Sequence, residues 1–176
     1  MIEPTEINEA DRKYLNMAIE IAKDVFNEGN YPVGALITIN GELIASDGNK
    51  METMNSRAQH AENQLIINNG EKLKKAAETK AEVTLYSTLE PCLMCLGTAI
   101  INGITRIVFI QKDPHGGACD IKVDNIGSCY PRIFPEIIEA RVSEEPKELI
   151  IKFLETQLVH GNKEWAQKVL PLFQAA

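Results

Sequence analysis

The chain has 176 residues, 44% hydrophobic and 24% charged, with a formal net charge of −7 and a pI near 5.1. That length fits one domain with a real core, the lack of any run of about eighteen apolar residues excludes a membrane-spanning helix, and the acidic balance argues against a broad nucleic-acid-binding surface. The start, Met-Ile-Glu-Pro-Thr-Glu, has no basic stretch followed by an apolar one, so no signal peptide is expected and the cytoplasm is the expected compartment.

In chain order, Leu15, Ala18, Ile19, Ala22, Val25 and Phe26 recur at helical spacing among Lys and Glu and predict an amphipathic helix over 11–27, ended by Gly29. Segments 33–39 and 42–45 flank Asn40-Gly41, a dipeptide suited to a two-residue hairpin turn, and predict the first two strands. A helix over 60–68 carries His60 and Glu62 in its opening turn, with Gly70 as its stop. The cluster Lys72-Leu73-Lys74-Lys75 reads as a solvated helix end or loop.

Residues 83–89, rich in β-branched and aromatic side chains, predict a strand that runs through Pro91 into a helix over 92–102, and 104–111 predicts another strand. Strands alternating with helices imply partly parallel pairing in an α/β domain. Residues 112–131 hold Asp113-Pro114, Gly116-Gly117, Gly127 and Pro131 and read as a long structured loop, of the kind often functional. Two more helices are expected, over 146–159 and 163–173. Trp165, on the last, serves either as a core anchor or as a pocket wall.

Two short segments about thirty residues apart carry the chemistry: His60-Ala61-Glu62 and Pro91-Cys92-Leu93-Met94-Cys95. Alone, a histidine is usually a packed or solvated residue, and Cys-x-x-Cys is equally a redox pair or half of a structural metal site. Together, one imidazole and two thiolates suit Zn²⁺, and three protein ligands leave a fourth tetrahedral position open, the mark of a catalytic site. Glu62 stands where it can handle the proton of a water whose pKa the metal lowers to roughly 7. Cys92 and Cys95, three apart near a helix N-terminus, gain from the positive end of its dipole. Cys119 and Cys129 could form a bridge, but a reducing compartment favours free thiols.

With these residues in view, the chain resembles the cytidine deaminase-like superfamily, and more narrowly its branch of cytosine, guanine and tRNA adenosine deaminases, over roughly residues 14–142. Pro32-Val33-Gly34-Ala35 is similar to that branch's first strand, and Thr84 through Cys92 to its approach to the thiolates. The resemblance implies a three-layer α/β/α fold with a mixed central sheet of about five strands, a single domain over 1–176 in which 143–176 is a helical extension, and a homodimer. It implies zinc held by His60, Cys92 and Cys95, with Glu62 as the proton shuttle of a hydrolytic deamination. Asn49, eleven residues before His60, would orient the base, or is a turn residue after Gly48. The backbone at Leu89 and Glu90 would meet the amine, and His115 is either a cavity wall or a surface-loop histidine.

The expected substrate is a free nucleobase or nucleoside, with tRNA the alternative. The last segment, 140–176, where tRNA deaminases tend to be basic, balances its Lys and Arg with an equal number of Glu. A catalytically silent zinc-binding interaction protein is the remaining alternative. Its mark would be a fourth protein ligand from Cys119, Cys129 or His115.

Overall fold

The computed structural model describes residues 7–175; the reading of the first six residues lies outside them. Helix α1 (Glu9–Asn27) begins two residues earlier than its pattern predicts, because Asn8 caps it, its Oδ1 accepting from the Asp11 N–H at 2.8 Å. The hairpin follows as β1 (Gly34–Ile39) and β2 (Glu42–Gly48). Asn40 and Gly41 take φ of 50° and 80°, the left-handed pair that a two-residue turn needs. β2 runs longer than expected, since its polar residues 46–48 continue to pair with β1.

Helix α2 (Ala61–Asn68) is followed directly by α3 (Gly70–Glu78), a helix that the sequence reading replaces with a stop and a solvated lysine cluster. Gly70 has no positive φ and opens α3, whose Leu73 and Ala76 are buried while its lysines face outward. Next come β3 (Val83–Leu89), α4 (Leu93–Ile101) and β4 (Arg106–Gln111). The 112–131 loop continues to residue 135 with two short 3₁₀ turns, and β5 (Glu136–Glu139) completes the sheet before α5 (Glu145–His160) and α6 (Lys163–Ala175).

The strand order is β2-β1-β3-β4-β5. β1 is antiparallel to both β2 and β3, while β3, β4 and β5 are parallel, so the sheet is mixed and five-stranded as expected. Alternation sends Leu36, Tyr86 and Val108 to one face, where they meet Leu15 and Ala18 of α1. Ile37, Leu85 and Ile107 go to the other face, into a larger core with α2, α3 and α4 that Ile150 and Leu154 of α5 and Val169 and Phe173 of α6 extend.

On the α1 face, a buried polar group ties that helix to the sheet. Arg106 on β4 donates twice to Asp11 on α1, each bond 2.7 Å, and the Tyr86 hydroxyl donates to the same carboxylate at 2.7 Å. Among the described residues no helix is long and apolar enough to cross a membrane.

Candidate metal centre and cavity

Parallel β3 and β4 both end at the same edge of the sheet, the edge where α/β folds collect ligand residues. β3 leads through Glu90 and Pro91 into α4, and Cys92 is the residue that caps α4, with Cys95 in its first turn. His60 caps α2 in the same way, with extended φ −72° and ψ 146°. His60 and Cys92 therefore stand at the caps, one residue before the helical positions that the sequence reading gives them. Cap positions favour Ser, Thr, Asp and Asn, whose side chains bond the helix's free N–H groups. Neither His60 nor Cys92 does so. Their side chains turn toward each other instead.

The His60 Nδ1 atom lies 3.6 Å from Cys92 Sγ and 3.5 Å from Cys95 Sγ, and one donor atom from each of the three residues falls within 4.8 Å of the others. The Cys92 thiol is pushed down to about 4, first by the hydrogen bond from Cys95 and then by His60, while the same bond pushes the Cys95 thiol up. His60 is raised, chiefly by its bond to Cys92. Two thiols and an imidazole thus meet at two helix N-termini, and a dication bound there displaces their protons. The donor set fits zinc. Cys119, Cys129 and His115 stand outside it, so no fourth protein ligand is found among the described residues, and all four cysteines are free.

Glu62 is 4% exposed, and its Oε2 accepts from Cys95 Sγ at 3.7 Å. Its other oxygen accepts from the Ser87 hydroxyl at 3.4 Å. Burial, the leading cause, raises its pKa above the ordinary carboxylate range. His60, Glu62 and Cys92 line a cavity of about 640 Å³. The residues read from the sequence as substrate contacts reach it too: Asn49, Leu89, Glu90, His115 and Trp165 all form part of its wall. Of the three metal donors, Cys95, fully buried, lies behind the surface.

Asn49 is buried, with Oδ1 accepting from the Met51 N–H at 2.9 Å, so it holds a turn and faces the cavity at once. The two readings of Trp165 also coexist, because it packs against the larger core and lines the cavity. His115 is an exposed loop residue at the rim, its N–H donating to Asp113 Oδ1 at 2.9 Å.

Tyr31, Arg57, Asp113 and Phe153, which no motif marks as site residues, also line the cavity. Tyr31 stacks edge-on with Phe153, centroids 5.3 Å apart. Its one local signal is its position directly before Pro32-Val33-Gly34. Asn30, wholly buried, fixes the 51–57 wall by accepting at Oδ1 from the N–H groups of Glu52 and Thr53, at 3.2 and 3.1 Å.

Comparison with known proteins agrees with this geometry. A tRNA-specific adenosine deaminase of Bacillus subtilis strain 168 is 41% identical over 108 residues, 61% of this chain and 65% of that protein, just under two thirds of its length. A solved structure from work on A-to-I editing by tRNA:A34 deaminases at the wobble position of transfer RNA superposes with a TM-score of 0.62 at 26% identity, covering 73% of this chain and 97% of the other. A guanine deaminase from Nitrosomonas europaea shares the fold, with a TM-score of 0.64 at 17% identity and 86% and 87% coverage. Residues 8–111 match the model of the cytidine and deoxycytidylate deaminase zinc-binding region. With its three donor residues gathered beside one cavity, the chain belongs to that family of zinc-binding deaminases.

Proposed function

We propose that this chain hydrolyses the exocyclic amine of a purine or pyrimidine ring to a carbonyl, releasing ammonia. The observation that carries the reading is the placement of a buried carboxylate, Glu62, against the donor set at the cavity base. His60, Cys92 and Cys95 would hold zinc, which supplies a Lewis acid that makes water nucleophilic near neutral pH. Glu62, kept basic enough by burial, takes a proton from the attacking water, delivers it to the ring nitrogen, and serves again as the C–N bond breaks. The Ser87 hydroxyl steadies the Glu62 carboxylate during these transfers. Asn49 has its Oδ1 committed to Met51, which leaves Nδ2 to donate to an acceptor on the ring. The N–H groups of Leu89 and Glu90 are taken by Ser87 Oγ and the Gln111 carbonyl, so contact with an amine, itself a donor, falls to backbone carbonyls there.

For the carrier of that amine, the kinship with tRNA-acting deaminases supports adenosine within tRNA, ahead of the free base expected from charge. Net charge is a weak guide, since a local patch can form on an acidic protein. Arg57, exposed at the cavity wall, is a cation available to a phosphate there.

The second reading, a free base or nucleoside, rests on a specific observation. Phe153, Trp165 and Val169 wall the cavity, yet all lie beyond residue 111, where the family match ends. A dimer is part of the proposal and is supported by strongly exposed Leu93 and Ile101 on α4 and Ile67 on α2. Ammonia release by zinc-loaded protein, measured on free bases, nucleosides and an adenosine-34 anticodon stem-loop, tests both readings. Turnover of the stem-loop alone selects the first, turnover of a base or nucleoside alone the second, and none on any substrate removes the deaminase reading.

A further inference from the structure

Glu90, the residue after β3, is 3% exposed. A buried carboxylate is costly unless hydrogen-bonded. Here both oxygens are used: Oε2 accepts from the Asp113 N–H at 3.1 Å and Oε1 from the Cys119 N–H at 2.9 Å. The donors lie on the 112–120 loop, whose ends are joined by an ion pair between Lys112 and Asp120. Asp113 Oδ1 folds the loop's tip by accepting from the N–H groups of His115 and Gly116, at 2.9 and 3.0 Å. The far side of the loop is zipped to the metal segment, through the Ala118 N–H to the Pro91 carbonyl at 3.1 Å and a strand-like bridge between Cys92 and Gly117.

Only one side chain meets these demands. Two N–H groups on separate turns need two acceptors from a single residue; an amide would turn its NH₂ against one of them, and an aspartate lacks the reach. Space is equally limited, because a Cβ at Gly117 would lie 2.2 Å from Glu90 Oε2 and 2.7 Å from the Asp113 carbonyl oxygen.

Resting on the deaminase reading of this site, we infer that Glu90 is a positioning residue whose carboxylate clasps the 112–120 loop and so holds Asp113 and His115 as a cavity wall beside Cys92. Its work is on substrate binding. The metal donors keep their own supports at the caps of α2 and α4.

The test uses the zinc-loaded full chain and two variants, Glu90→Gln and Gly117→Ala, which attack the clasp from opposite sides. Both should keep the wild-type zinc content. An unsatisfied buried N–H costs enough to raise KM about tenfold or more, with kcat changed less than about threefold, on whichever base or stem-loop the wild type deaminates. Amide exchange over residues 113–119 should quicken in both variants while exchange in α4 stays slow. Wild-type exchange and KM in both variants would overturn the inference, as would loss of zinc together with kcat, which would make Glu90 a support of the metal site. Should the wild type release no ammonia, the deaminase reading fails, while the exchange measurement still decides the clasp.

Discussion

Tyr31 and Trp165 meet edge-on, with ring centroids 6.0 Å apart and planes at 66°. The contact ties the segment entering β1 to the first turn of α6, and Phe153 of α5 joins it through Tyr31. Burial, followed by the negative charge of Asp113, pushes the Tyr31 phenol well above its usual range and keeps it neutral. One wall of the cavity is therefore aromatic and joins the segment before β1 to the α5–α6 pair, opposite in kind to the polar base formed by His60, Glu62 and Cys92.

The metal assignment predicts one zinc per chain, lost when Cys92 or Cys95 becomes Ala. The two remaining donors cannot hold the ion tightly at neutral pH, and because bound metal adds folding free energy, a lower melting temperature should accompany the loss. Elemental analysis of purified variants checks this. Full zinc content in both would remove the assignment.

Glu62→Gln should keep zinc and fold, since an amide fits the space and still accepts from Ser87. Turnover should fall by about 10² to 10⁴, the usual contribution of a general acid–base group. Activity near wild type in the metallated variant would exclude Glu62 as the proton carrier.

Asp11 gives a pH-dependent prediction away from the site. Burial alone would raise its pKa, but the hydrogen bonds from Arg106 and Tyr86 outweigh burial and hold it below the ordinary 3.8. A carboxylate depressed on folding stabilises the protein above its unfolded pKa, and that gain is lost as pH falls through the lower folded value. Asp11→Ala leaves a mostly buried guanidinium with the longer 3.5 Å pair to exposed Glu136 and should cost about 3 kcal/mol near neutral pH. The gap between wild type and variant should begin to narrow below pH 3.8 and keep narrowing as pH falls through the folded value. Urea unfolding at pH 7 and pH 2.5 measures it, and an equal gap at both would refute the linkage.

Much of this was legible in the sequence. Period and turn chemistry reveal α1, the hairpin, β3 and β4, because α1, β1, β3 and β4 each bury a continuous apolar face and Asn40-Gly41 marks the turn into β2. Two elements escape. α3 buries only Leu73 and Ala76 among lysines, and β5 is a four-residue Glu-Ile-Ile-Glu segment that becomes a strand because β4 offers it a partner edge. The donors His60, Cys92 and Cys95 are legible because metal chemistry restricts both residue type and spacing. Tyr31, Phe153 and the Glu90 clasp are not, since their meaning lies in contacts that only the topology creates.

Trp165 separates the two substrate readings. Deleting the chain from Lys163 onward is a poor test, because Ala166, Val169 and Phe173 of α6 are buried in the main core and their loss would unfold more than the wall. Trp165→Ala is cleaner: the side chain is only partly buried, so the variant should lose less than the roughly 3–5 kcal/mol that a fully buried aromatic costs, and should keep its zinc. If the substrate is a free base or nucleoside, most of its binding comes from the cavity itself, and losing this wall should raise KM about tenfold or more, with the site left open to water. If the substrate is adenosine in tRNA, contacts to the rest of the RNA carry much of the affinity and show as a steep salt dependence, so Trp165→Ala should change KM only about twofold to threefold. Arg57→Ala should then weaken binding at low salt and flatten that dependence. The pair of variants thus gives opposite patterns: a large Trp165 effect with no Arg57 effect marks the small substrate, and the reverse marks the RNA.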